Sequence, residues 1–107
     1  MKVRETNDWL LPEELAAPGP GPLLLLLDLT EGLRDVAAFE FAAERHEGVR
    51  FLKINVDENP SVLKRYRVRK LPSVVLFIEG REAGRRAGPL GDQDISDLLA
   101  RKQRRGG

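Results

Sequence analysis

The sequence predicts an α/β domain with a central mixed β-sheet and helices on both faces. Three observations carry that prediction. The run Leu23–Leu27 is continuously apolar, the pattern of a strand buried on both faces. A segment of helical periodicity separates it from a second apolar stretch, Val49 to Val56. Further on, Glu79-Gly80 joins two more strand-like runs through a two-residue turn. The strand–helix–strand unit over residues 23–56 demands a parallel pair, and the hairpin supplies an antiparallel one.

The remaining elements follow in order. Val3 to Thr6 reads as a short strand, and Asn7 or Asp8 as the cap of a short helix through Trp9, Leu10 and Leu11, with Pro12 in its first turn. Pro18-Gly19-Pro20-Gly21-Pro22 is a breaker segment and must be loop. In the helix after the leucine run, Leu33, Val36, Phe39 and Ala43 share one stripe, and Gly48 closes it in the usual C-terminal position. Phe41 lies off that stripe, either as a second packing contact or exposed. Asn59 and Pro60 are placed as cap and first residue of a short helix whose inner face is Val62, Leu63 and Tyr66. Val74 to Ile78 is a strong strand, and Glu82 to Ala87 is its returning edge partner. Asp92 or Asp94 caps a last helix with Ile95, Leu98 and Leu99 inside.

Size and composition bound the function. A chain of 107 residues has room for one core, expected over residues 1–101 with a basic, flexible tail at 102–107. With 41% hydrophobic and 33% charged residues, it has the composition of a soluble globular protein. A net charge of +1 predicts no general attraction to nucleic acid or to an anionic membrane. The five leucines are too few to span a bilayer and lack the placement and cleavage site of a signal peptide, so a cytoplasmic location is expected.

Cysteine is absent, which removes disulfides, thiol nucleophiles and thiolate metal ligands together. His46 is the only histidine, so a zinc site would rest on carboxylates almost alone. Its place near a helix C-terminus gives it an ordinary electrostatic role. No metal and no cofactor are expected.

A more specific likeness emerges from an ordered set of short motifs. Lys53-Ile54-Asn55-Val56-Asp57, Asn59-Pro60, Tyr66-Arg67-Val68-Arg69, Leu71-Pro72-Ser73, Phe77-Ile78-Glu79-Gly80 and Gly88 together resemble the thioredoxin family, most strongly from Leu52 to Gly88. The resemblance implies a thioredoxin-like fold and a cis peptide bond before Pro72, facing the loop around Glu31 and Gly32. It implies that Pro72 shapes a peptide groove, that Leu71 offers backbone groups to an extended segment, and that Gly88 borders the same groove. It aligns Asp28 with a buried proton-relaying aspartate. Beside that stands a plainer role for Asp28, as cap of the next turn, because an unpaired buried carboxylate is costly.

The family's Trp-Cys-x-x-Cys stretch is missing. Leu29-Thr30-Glu31-Gly32-Leu33-Arg34 stands in its place, and the loop is several residues shorter. Dithiol exchange needs two thiols, so redox turnover by this chain is excluded. The expectation is a redox-inactive module, binding or chaperone-like, that takes a protein or peptide partner at Leu71, Pro72, Ser73 and Gly88. Lys64, Arg65, Arg67, Arg69 and Lys70 crowd the rim of that groove, either as a solvated face or as a patch that steers an acidic partner, with Arg67, Arg69 and Lys70 as contacts. The phrase Arg67–Ser73 and the short loop are similar to assembly chaperones of uptake hydrogenases, which have a longer N-terminal region and are thought to hold a basic signal peptide. Two alternatives remain. One is a thiol-independent enzyme, such as a glutathione-handling relative, for which Thr30 is the only nearby hydroxyl and the sequence offers it no base. The other is a structural subunit that buries Trp9 or Phe41 in a larger assembly.

Overall fold

The computed structural model describes residues 2–17, 21–30 and 32–105. The elements are β1 (Val3–Thr6), α1 (Leu11–Ala16), β2 (Leu23–Asp28), α2 (Leu33–Arg45), β3 (Arg50–Asn55), α3 (Ser61–Arg65), β4 (Ser73–Ile78), β5 (Arg81–Ala87) and α4 (Asp92–Arg105). They form one five-stranded sheet in the order β1-β3-β2-β4-β5. β3 runs parallel to both β1 and β2, β4 is antiparallel to β2, and β5 is antiparallel to β4.

The leucine run is explained by where β2 sits. It is the central strand, and side chains on a strand alternate between faces. Leu24 and Leu26 enter one core with Phe39, Phe51, Val74, Leu76 and Ile95, under α2 and α4. Leu23, Leu25 and Leu27 enter the other with Leu11, Leu52, Ile54, Val62 and Val75, under α1 and α3. A strand covered on both sides has no polar position, and each buried leucine contributes about 1.5–3 kcal/mol. The Phe39 and Phe51 rings meet edge-on at 5.0 Å inside the first core.

Connections largely follow the sequence signals. Asn7 is the residue that holds the entry to α1, since its Oδ1 accepts from the N–H groups of Trp9 and Leu10 at 2.9 and 2.8 Å. The Glu79-Gly80 turn has positive φ at both residues, 54° and 80°, as a type I′ hairpin requires. Phe41 is exposed, with the Arg45 guanidinium over its ring at 5.6 Å.

Three local expectations are corrected. Asn59 makes no side-chain cap on α3. It is buried and bridges two turns instead, donating to Asn55 O at 2.9 Å and accepting from Asp8 N–H at 3.1 Å. α2 closes at His46, and Gly48, at φ +84°, turns the chain two residues later. At α4 neither aspartate precedes the helix. Asp92 is its first residue and pairs with Arg45, while Asp94 reaches back to accept from Gly91 N–H at 2.8 Å. Backbone helix continues through Arg105, past the boundary expected at residue 101. Pro18 to Pro20, Glu31 and the last two glycines lie outside the described residues. Among the described residues no helix is long and apolar enough to cross a membrane.

Candidate functional site

Strand register brings the sequence-predicted groove residues to one end of the sheet. Asp28 at the end of β2 is level with Asn55 at the end of β3, Leu27 is level with Ser73, and Ser73 with Ala87. The loops that follow or precede these residues therefore share one pole: Leu29-Thr30, Gly32, Val56 to Pro60, Leu71-Pro72, and Gly88.

The Leu71–Pro72 bond is cis. Gly88 N–H donates to Pro72 O at 2.9 Å, and Ser73 Oγ donates to Lys70 O at 2.5 Å. Gly88 sits at φ +103°, a conformation that side-chain-bearing residues rarely adopt, so glycine is required where the chain leaves β5 to meet Pro72. Leu71 is half-buried, and its N–H and C=O have no hydrogen-bond partner among the described residues. Backbone groups of this kind are what an added strand would pair with.

The basic cluster beside it is solvent-facing. Lys64, Arg65, Arg67, Arg69 and Lys70 are all exposed, and none forms an ion pair among the described residues. Its shape is set from β5, through Arg85. Arg85 donates to Tyr66 O at 2.8 Å and Arg67 O at 2.9 Å, holding Arg67 at φ +56°. Glu82 in turn holds Arg85 through two hydrogen bonds of 2.6 and 2.7 Å. That contact lowers the Glu82 pKa and raises that of Arg85. No local motif announces this clamp, because its ends lie 19 residues apart.

Asp28 is buried, and only half of it is satisfied. Oδ1 accepts from Leu29 N–H at 2.7 Å, whereas Oδ2 is buried without a partner among the described residues. Burial pushes its pKa up to about 6, the Leu29 N–H opposes that, and the neighbouring Asp35 carboxyl adds to it. The capping role expected for it reduces to this one bond with Leu29, on an acid that is nonetheless enclosed. Gly32 is what allows the enclosure: a Cβ there would lie 2.0 Å from Asp28 Oδ2.

Thr30 does have a carboxylate at hand, contrary to expectation. Its N–H donates to Asp57 Oδ2 at 2.9 Å, and its Oγ1 accepts from Asn55 Nδ2 at 2.8 Å. The hydrogen bonds from Thr30 lower the Asp57 pKa, which makes that carboxylate a weaker base. Among the described residues no group of three or more His, Asp or Glu side chains could hold a metal ion.

Comparison with known proteins now decides the family. The thioredoxin family model matches residues 36–101, more than half of the chain. The chain belongs to the thioredoxin family. It is 31% identical to thioredoxin from Rickettsia typhi over 79 residues, covering 74% of this chain and 68% of that one. It is 26% identical to thioredoxin 1 from Synechococcus elongatus over 83 residues, covering 78% and 70%. Spinach chloroplast thioredoxin f superposes with a TM-score of 0.83 at 24% identity, over 94% of this chain and 87% of that one, and so shares the fold. The family match begins at Val36, immediately after the segment in which the redox motif would stand. What this thioredoxin-family chain keeps is the sheet, the cis-proline and the glycine beside it. What it lacks is any thiol.

Proposed function

We propose that the protein is a redox-inactive thioredoxin-family module that binds an extended, acidic segment of another protein beside Pro72, as an accessory or chaperone-like factor. The observation that carries this reading is the open backbone of Leu71, set between the cis-proline and five exposed cations. A partner strand would gain main-chain hydrogen bonds from Leu71, and the cluster would steer an acidic segment toward it. The short loop after β2 supports the reading, since trimming it removes the redox apparatus while the groove's geometry rests on Pro72 and Gly88. The hydrogenase-chaperone likeness draws no support from these relatives, which are named thioredoxins.

The reading is tested by association kinetics with an acidic extended peptide. The rate falls steeply between low and high salt, because exposed charges are screened beyond a Debye length of about 8 Å at physiological ionic strength. Arg67→Glu with Arg69→Glu slows association about tenfold or more and leaves the thermal midpoint nearly unchanged. Binding indifferent to salt and to the double reversal overturns it.

A second reading, a subunit of a larger assembly, is favoured by one observation. Trp9, the only tryptophan, is 82% exposed. Such a subunit would protect Trp9 from a fluorescence quencher inside the assembly and expose it in the isolated chain.

A further inference from the structure

Three of the four large apolar side chains that stand exposed among the described residues, Trp9, Leu10 and Leu29, lie at the same pole as Pro72. The register shows why. Thr6 is level with Ile54, Ile54 with Leu27 and Leu27 with Ser73, so one row crosses the sheet from the end of β1 to the start of β4. Trp9 and Leu10 follow Thr6 in the loop after β1, Leu29 follows β2, and Leu71 precedes β4. Single exposed apolar residues are ordinary on a protein surface, but a group gathered at one end of a sheet is the pattern of an interaction site.

Trp9 is the most exposed of them, yet its backbone is firmly held. Besides the two bonds from Asn7, Asp8 N–H donates to Asn59 Oδ1 at 3.1 Å and Ser61 Oγ donates to Asp8 Oδ2 at 2.9 Å. A tryptophan displayed on a fixed turn loses little freedom on binding, which favours it as an anchor. The same turn touches the basic cluster. Ser61 opens α3, and Arg65 at its other end reaches Asp8 O at 3.5 Å. From there the exposed cations continue to Lys70, next to Leu71. Asp57 and Glu58 occupy the loop after β3, between Trp9 and Leu29 in strand order. The cationic path from Leu71 to Trp9 therefore runs past α3 and not straight along the sheet end.

We propose that Trp9 and Leu10 form a second anchor for the segment bound beside Pro72, taking a large apolar residue of the partner, with acidic residues between that residue and the part paired to Leu71. This anchor requires the Pro72 groove proposed above and extends it. Its spacing follows from the sheet. β1 and β4 are three strand steps apart, at least about 14 Å, and an extended chain needs about five residues to cover that. Lys64 and Arg65 line the path and attract acids to it. Glu13, exposed in the first turn of α1, disfavours acids beyond the anchor.

The test uses three acidic peptides of equal length, each with a Val-Thr-Val end for strand pairing and each made in both chain directions. In the first a phenylalanine follows after about five acidic residues, in the second it stands directly beside the Val-Thr-Val end, and in the third serine replaces it. Trp9 is the only tryptophan, so its emission reports on the anchor without a label. In one of the two directions the distant phenylalanine is expected to bind roughly tenfold tighter than the serine peptide and to shift Trp9 emission to the blue, while the adjacent one does neither. Trp9→Ser removes that gain and leaves binding of the serine peptide within about twofold, since an exposed side chain contributes little to folding. Equal affinity for all three peptides with Trp9 emission unchanged overturns the second anchor and leaves the groove reading standing. No binding by any of them overturns the groove reading and the anchor with it. A blue shift that grows with protein concentration in the absence of peptide assigns Trp9 to a second copy of the chain and also overturns the anchor.

Discussion

Asp28 is a buried acid at the end of β2, and its burial has a cost with a sign. Burial holds its pKa at about 6, against 3.8 for an ordinary aspartate carboxyl. Below both values the group is protonated in both states and its contribution to stability is complete. As pH rises from about 4 to 6 the unfolded chain ionises first, so stability falls, and above 6 the loss is full. Asp28→Asn removes that dependence. The variant is expected to gain on the order of 1–3 kcal/mol at pH 7 and almost nothing at pH 3.5, measured by denaturant unfolding at the two pH values. Gly32→Ala acts on the same enclosure from the other side. Its Cβ would meet Asp28 Oδ2 at 2.0 Å, so the carboxylate must move, at about 1–3 kcal/mol. A Gly32→Ala chain as stable as the parent would show that Asp28 has room to swing aside.

Among the elements, β2 and the clamp from β5 differ in how far the sequence reveals them. The Pro/Gly segment in front of Leu23–Leu27 and the shortness of the run favour a strand covered on both faces, and the two cores share its leucines as that reading requires. Leu25→Ala should cost about 2–5 kcal/mol in a denaturation experiment, as a large-to-small change in a closed core does. Asn59 shows the opposite case. An Asn before Pro looks like a helix cap locally, but its side chain is taken by Asp8, 51 residues away. Arg85 is likewise committed to carbonyls that no pattern around it announces. Arg85→Met is expected to lose about 1–2 kcal/mol of stability and to speed amide exchange in the segment Tyr66 to Val68. Unchanged exchange there would mean that the turn holds itself.

For the whole molecule, the mixed central sheet and the cis bond before Pro72 agree with what the motifs implied, because each of those motifs is a turn or strand with its own local signature. The poles of the sheet were less legible, since loops from four or five strands build them and only the register brings them together. The proposed function requires a peptide groove beside Pro72 that persists without redox chemistry. The most direct test is to select peptides from a random library on the folded protein and map one of them by amide chemical shifts. The selected peptides are expected to be extended and acidic, with shifts that centre on Leu71, Ser73, Gly88 and residues 67–70. Selected peptides without acidic character, or shifts centred away from Pro72, would contradict that function.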